Sequence, residues 1–430
     1  MLTKGVNCSH EGTIRIGNYS ITQSIVSWSL FLLVFLSIVN GALPQVEMLI
    51  FSGRCPIPSI FLKLCILILF VASQIMYSNL KIKKTATLTL LVLFSFLAFE
   101  TGFFSISSRI PIIVTIFGFD TMYSLLIVSL LVANIHSTIS AKDAERFVLI
   151  VAIPILLLGI SQTMLNSPIV PLRSIDDYFQ VLVWNYYGQV RAFSFFEAPA
   201  YYATFLVFLG SFALSTILSR AKSPKKLFFG VLLILITFSE FMTLNRTSMF
   251  AYIFALLTVA SIYKFGCKRN VLNLIMICSL LCSVILILGV PFISHAFPDV
   301  FAFKDQSMLE RYNEWQHWIQ IALRSPENFF LGTGIFQNSL IARFKDVTID
   351  NMFLAVLIQT GFIGLMITVY AIYKTFGIML KSYLTTSSSL AVASIALFTV
   401  WPIFSMFGTG LNIFPIYAAI PFLIRSSLKK

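Results

Sequence analysis

The chain is a succession of apolar segments, each about as long as a bilayer is thick, and the basic charge of the loops between them rises and falls in alternation. A hydrocarbon core of ~30 Å takes ~20 apolar residues as a helix. Backbone crossing lipid must satisfy its own N–H and C=O groups, so an open sheet or an irregular segment is excluded there. The segments that fit are 24–43, 57–78, 86–106, 110–135, 147–165, 200–219, 227–244, 247–263, 271–293, 351–373, 386–406 and 411–425. With 58% hydrophobic residues and a mean hydropathy of +0.91, the chain lies far from the composition of a soluble domain. The expectation is all-α: one polytopic integral membrane helical bundle over residues 1–430, with about 12 transmembrane helices. No repeat and no low-complexity tract interrupts it.

The charges orient the bundle. With the N-terminus cytoplasmic, the inside segments carry Lys4, Arg15, Lys81, Lys83, Lys84, Lys142, Arg146, Arg220, Lys222, Lys225, Lys226, Lys264, Lys268, Arg269, Lys374, Lys381, Arg425, Lys429 and Lys430, against the three acids Glu11, Asp143 and Glu145. The outside segments are near neutral. This is the positive-inside pattern, and it puts both termini in the cytoplasm. The net charge of +13 therefore belongs to short loops facing anionic lipid and is no sign of nucleic acid. The first span has no small-residue cleavage site after a short apolar core, so it reads as a retained helix. The six Cys form no CxxC pair, and only Cys55 falls in an outside loop, so no disulfide is expected.

With this orientation the polar chemistry gathers on the outer face. Two outside loops are long, 166–199 and 294–349, and long loops on a helical scaffold carry function. In the second, Ser307-x-x-Glu310 reads as a capping box. Met308, Tyr312, Trp315, Ile319 and Ala322 then recur at helical spacing, with Trp318 and Leu323 beside them. The pattern predicts an amphipathic helix over 308–324, lying at the membrane-water boundary and stopped by Pro326. Arg311 and Trp315 are i,i+4, within reach of a cation–π contact. The first loop ends with Arg191 and Glu197 among aromatic residues; an interfacial aromatic belt around an ion pair is the structural reading. Lys63, Glu100, Asp120 and Glu240 fall inside spans, toward their outer halves, where an ionised group must face the bundle interior or water. Arg246, in the short turn Asn245-Arg-Thr247, is the expected partner of the two glutamates. Lys63 is expected to snorkel.

Arg191, Arg246 and Arg311 together would suit an anionic head group, because guanidinium forks keep their charge and match phosphate oxygens in pairs. No metal site is expected: the histidines at 10, 136, 295 and 317 have no ligand spacing. No GxxxxGK[ST] loop offers a nucleotide site, and no cofactor is expected.

These residues resemble a known group. Arg191-Ala-Phe-Ser-Phe-Phe-Glu197-Ala-Pro199, Leu244-Asn-Arg246-Thr-Ser248, and Glu310-Arg311-Tyr-Asn-Glu-Trp315 followed by Pro326, Gly332-Thr-Gly334, Asp350-Asn351-Met-Phe-Leu354 and Gly361-Phe-Ile-Gly364 are similar in kind and order to the O-antigen polymerase and O-antigen ligase family of bacterial surface-polysaccharide enzymes. The likeness is topological along most of the chain and residue-level over about a quarter. It implies a GT-C-like bundle in the cell inner membrane with its active site facing the periplasm. It also implies a metal-independent glycosyltransferase acting on oligosaccharides carried by undecaprenyl diphosphate, with membrane lipid around it and a chain-length regulator as partner. Ligases of the group have His where this chain has Asp350, so the resemblance favours a polymerase; Asp350 is also read as a cap for the helix beginning near 351. The expected roles are Asp350, Arg311 and Glu197 in catalysis, and Arg191, Arg246, Trp315, Tyr312 and Asn351 in binding diphosphate or glycan. The alternatives are a ligase transferring glycan to lipid A core and a flippase or transporter. A transporter predicts two similar halves with charges near the midplane, and the sequence shows neither.

Overall fold

The computed structural model describes residues 11–38, 68, 84–107, 123–133, 139–169, 188–196, 199–219, 226–266, 268–278, 281, 306–334, 351–386, 388–406 and 414–424. The regular elements among them are all helices, with no β-strand. In chain order the helices are α1 (Glu11–Ile38), α2 (Lys84–Ser107), α3 (Tyr123–Val132), α4 (Ala141–Met164), α5 (Pro199–Leu218), α6 (Lys226–Met242), α7 (Arg246–Phe265), α8 (Arg269–Cys278), α9 (Gln306–Ala322), α10 (Pro326–Leu331), α11 (Met352–Thr386), α12 (Ser389–Thr399), α13 (Trp401–Met406) and α14 (Phe414–Tyr417). A 3₁₀ turn, Ile420–Leu423, follows.

Five of them hold stretches long and apolar enough to cross a bilayer: Thr85–Phe103, Ala141–Met164, Pro199–Leu218, Arg246–Phe265 and Met352–Tyr383. Their apolar side chains are not all turned inward. Leu88, Leu91, Phe94 and Phe99 on α2, and Ile253 and Leu257 on α7, are exposed, as side chains facing lipid must be. The chain is a helical membrane protein. The expected span 57–78 lies outside the described residues apart from Ile68, as do the first part of 110–135 and the latter part of 271–293.

α5 is the centre of the bundle. It packs against α6, α7 and α12, and Tyr202, Phe205, Phe208 and Phe212 are all fully buried along it. Phe208 meets Tyr417, and Phe212 meets Phe229 edge-on. Polar groups within the bundle pair locally: Thr258 with Thr399 at 3.1 Å, Tyr202 with Ser239 at 2.8 Å, Tyr252 with Thr237 at 2.9 Å.

The structure moves several expected boundaries. α4 begins at Ala141, six residues before the expected span, because the Ser140 hydroxyl caps it, accepting from the Asp143 N–H at 3.2 Å. Lys142, Asp143, Glu145 and Arg146 are therefore helical. α11 runs past 373 to Thr386, taking Lys374 and Lys381 with it. It is broken at Gly361, whose φ of 66° and ψ of −173° belong to a region that essentially only glycine enters. The expected span 386–406 is two helices parted at Val400, with Pro402 in the first turn of the second. The expected span 411–425 is not one helix: a separate 3₁₀ turn begins at Ile420, with Pro421, which has no N–H to give to the turn before it, as its second residue.

Candidate functional site

The first corner of the site is where the 188–196 segment crosses the end of α6. The last carbonyls of a helix have no partner within it. Here the backbone N–H of Ala192 donates to Met242 O at 2.9 Å, and Arg191 Nε donates to Thr243 O at 2.9 Å. That second bond fixes the plane of the guanidinium. Burial draws the pKa of Arg191 below its ordinary value, yet a guanidinium keeps its charge in a protein. Leu244 then turns with a positive φ of 51°, and Asn245 caps α7, its Oδ1 accepting from Ser248 N at 3.3 Å. Arg246 is the first residue of α7 and is exposed. A cation there faces the positive end of a 20-residue helix, a placement that costs ~0.3–1 kcal/mol unless an anion is shared.

Two residues that the sequence reading passed over hold this corner. Gln162, fully buried near the end of α4, donates from Nε2 to Pro168 O and Ser194 O, both at 2.8 Å, and accepts at Oε1 from Phe193 N at 3.2 Å and Ser194 N at 2.6 Å. Asn166 accepts from Val190 N at 2.8 Å and donates to Gly188 O at 3.2 Å. Both clamp the backbone on either side of Arg191. Gln162 is a neutral amide inside the apolar span 147–165, a polar group outside the ionisable set Lys63, Glu100, Asp120 and Glu240.

The second corner is built on the start of α11. Asn351 caps it: Oδ1 accepts from Leu354 N at 3.0 Å, and Asn351 O accepts from Ala355 N at 2.8 Å. The cap is thus Asn351; Asp350, also expected to cap, lies outside the described residues. The expected binding role of Asn351 competes with this, since its side-chain oxygen serves the backbone. α9 starts at Gln306, so Ser307 lies within it and is not its cap, and it ends at Ala322. Pro326 does not stop α9 but opens α10 as its first residue, with Ser325 capping at 3.1 Å. Trp315, Trp318 and Ala322 are buried against Leu354 and Ile358 of α11, with Ile321 beside them, while Ile319 and Leu323 are exposed. The buried stripe is rotated from the expected one, because it follows the partner helix. Trp315 is engaged in packing, at 6% exposure, and its expected contact with glycan competes with this. The side chains of Arg311 and Tyr312, and Glu197 and Asp350 altogether, lie outside the described residues, as do Lys63 and Asp120.

The turn after α10 locks onto the break in α11. Ile358 O accepts from Thr333 N at 2.8 Å and from Thr333 Oγ1 at 3.0 Å, and Gln359 O accepts from Gly334 N at 3.0 Å. These carbonyls are available because Gly361 leaves the helical path. A Cβ on Gly332 would stand 2.6 Å from the Gln359 carbonyl, and one on Gly361 would overlap the Phe330 carbonyl. The glycines at 332 and 361 are therefore needed for close approach. A link between the two corners runs through Trp401, which packs edge-on against Phe353 at 5.3 Å on a helix that also contacts α7.

Glu240, expected to pair with Arg246, does not. It is buried on α6 with neither carboxylate oxygen hydrogen-bonded. The Ser248 hydroxyl beside it donates instead to Asn245 O at 2.8 Å. Glu100 is likewise buried on α2 with both oxygens unbonded. Among the described residues no group of His, Cys, Asp and Glu could hold a metal ion.

Residues 229–369 match the family described as O-Antigen ligase. The matched segment holds Glu240, Arg246, Arg311, Asp350, Asn351 and the break at Gly361, and it covers about a third of the chain; Arg191 and Glu197 precede it. No match is found among curated proteins. Over that stretch the chain is similar to the O-antigen ligase family, which supports the likeness to the O-antigen ligase and polymerase group expected from the sequence.

Proposed function

We propose that the chain is the polymerase member of that family, joining oligosaccharide repeat units carried on undecaprenyl diphosphate at the periplasmic face of the inner membrane. The growing chain is the donor. The bond from its anomeric carbon to the diphosphate breaks, a bond to a hydroxyl of the incoming unit forms, and lipid diphosphate leaves. Charge builds on the departing diphosphate, and fixed guanidinium groups stabilise it without reorganising. Arg191, Arg246 and Arg311 take that role. The hydroxyl proton passes to a carboxylate, Asp350, with Glu197 in reserve. The sugar-diphosphate bond supplies the driving force, so no nucleotide is needed. Tyr312 contacts the glycan and Trp315 holds its helix in place.

The observation that carries this reading is the first corner. Arg191 is held in a fixed plane by Thr243 O, beside a second arginine at the head of α7. That is an arrangement for a multivalent anion, and it lies at the edge of a membrane bundle where a lipid head group can arrive. The match does not separate this reading from a second one, the ligase; Asp350 in place of the ligases' His weighs against the second.

The experiment is a gel of surface lipopolysaccharide from a deletion strain. Loss of a polymerase leaves single repeat units on the core, loss of a ligase leaves none, and loss of a flippase holds units at the inner leaflet. Arg311→Ala should shorten or abolish the ladder. An unchanged length distribution would remove Arg311 from the site.

A further inference from the structure

The basic end of α11 meets α8 in a cluster that the chemistry above does not use. Arg269, the first residue of α8, lays its guanidinium over the Tyr373 ring of α11, with Cζ 4.6 Å from the ring centroid. A Cβ placed on Gly377 would have Arg269 Nη2 as its neighbour, at 3.9 Å. Tyr373 and Gly377 are i,i+4 on α11, so the guanidinium lies along one face of that helix, over the gap that the missing side chain leaves. Lys374 is three residues before Gly377 and Lys381 four after it, which sets a lysine one turn to either side of the arginine. Lys374 rests over Tyr370, its Nζ 5.1 Å from the ring centroid. Lys268 is exposed next to Arg269. None of these four cations has an ion pair or a side-chain hydrogen bond among the described residues. Stacking occupies the flat face of the guanidinium and leaves the N–H donors at its edge open. Like charges gathered at one spot repel, and an anion shared between them relieves the repulsion.

The same face of α11 indicates what carries that anion. Phe362, Met366, Val369 and Tyr373 are exposed and recur at i, i+4, i+7 and i+11, which makes one apolar column along the helix. At a rise of 1.5 Å per residue the column is about 16 Å long, close to the ~15 Å of one leaflet of the hydrocarbon core. On α8, Leu274 and Ile277 are exposed as well. The column ends at Tyr373, under the guanidinium, so an apolar chain lying in it brings its head group up to Arg269.

We propose that this cluster is a seat for one anionic phospholipid, with its phosphate on Arg269, Lys374 and Lys381 beside it, and an acyl chain along the Phe362–Tyr373 column. The guanidinium fork matches phosphate oxygens in pairs, and basic pockets between helices on the cytoplasmic side are a recurrent place for anionic head groups. The charge pattern of the loops assigns this end of α11 to that side. The lipid would tie α8 to α11, the helix that also carries Asn351 and the docked 332–334 turn. The site is independent of which reaction the chain catalyses.

The test uses the full-length protein in nanodiscs of phosphatidylcholine with rising fractions of phosphatidylglycerol, and native mass spectrometry counts the lipids retained on release. Wild type should retain phosphatidylglycerol saturably, and phosphatidylethanolamine far less. Arg269→Gln should cost one retained phosphatidylglycerol per chain, its affinity falling roughly tenfold or more with the loss of charge-assisted hydrogen bonds. Gly377→Leu keeps every charge and fills the seat, so it should cost the same molecule. Lys142→Gln removes an exposed cation of α4, away from the cluster, and should change nothing. Equal losses in Lys142→Gln and Arg269→Gln would mean that diffuse surface charge alone attracts the lipid, and would overturn the proposal. So would retention of phosphatidylethanolamine to the same degree, or a Tm in pure phosphatidylcholine discs that inorganic phosphate raises in wild type and not in Arg269→Gln, which would put a soluble anion in the seat.

Discussion

Gly361→Ala isolates the contact that joins the 326–334 segment to α11. A Cβ at 361 overlaps the carbonyl of Phe330, a backbone group that cannot swing aside. The φ of 66° with ψ of −173° adds ~1–3 kcal/mol of strain for any L-residue. Relieving either means withdrawing the turn, which breaks three bonds onto Ile358 O and Gln359 O, each worth ~0.5–1.5 kcal/mol net. Those bonds are lost on opening with or without the substitution, so the strain sets the change, ~1–3 kcal/mol against the docked state before the clash is counted. At 1.4 kcal/mol per decade, local opening should rise by at least roughly 5- to 150-fold. Hydrogen–deuterium exchange in nanodiscs reads this directly, in peptides covering 326–334 and 352–360. Gly230→Ala is the control, because nothing lies within 4 Å of a Cβ there; mid-helix alanine should be neutral or favourable by ~0.5–1 kcal/mol. If Gly361→Ala leaves exchange in both peptides unchanged while Gly230→Ala behaves as stated, the docking reasoning is wrong.

Asn351→Ala should cost ~0.5–2 kcal/mol by loss of the α11 cap, seen as a lower Tm, whereas Asp350→Asn should leave Tm unchanged and abolish long polymer on a gel. Gln162→Leu removes four bonds around the Arg191 segment and strands the buried N–H groups of Phe193 and Ser194; a loss of ~2–4 kcal/mol in unfolding is expected, together with loss of polymer. Arg191→Lys keeps the charge but not the planar fork, so polymer should shorten with expression and Tm near wild type; full-length ladders would show that the fork is not needed.

The apolar period was long and repeated, so the helices from α5 to α7 fall within a few residues of where the sequence places them. The errors come at ends, where one or two side chains decide. Ser140 and Asp143 extend α4 into residues read as a charged loop, and nothing in the charge count signals a cap. Pro326 could end one helix or begin another; Ser325 before it settles the matter, as the cap of α10. Gly361 and Gly364 lie in one apolar run, and only the close approach of Phe330, from a distant stretch of chain, shows which of them breaks the helix. The amphipathic stripe of α9 was legible, but its facing residues depend on α11: Trp318 and Ile321 are inside and Ile319 is not. At the site, Arg191 and Arg246 stood out because cations are scarce beside apolar spans. Gln162 did not, because a neutral amide carries no charge to notice. Pairing of Arg246 with Glu240 followed from spacing alone and failed, since the carboxylate turns into the bundle while the arginine heads α7 at the surface.

The central claim is that arginines at one end of this bundle hold a lipid-linked diphosphate while glycan is transferred. The measurement that reaches it most directly is polymerisation by the purified protein in proteoliposomes supplied with undecaprenyl-diphosphate repeat units and no nucleotide, resolved by product length. The wild-type chain should yield a ladder of lipid-linked oligomers, and Arg191→Ala and Arg246→Ala should each reduce it to monomer. Products confined to a lipid A acceptor, or ladders undiminished by both substitutions, would contradict it.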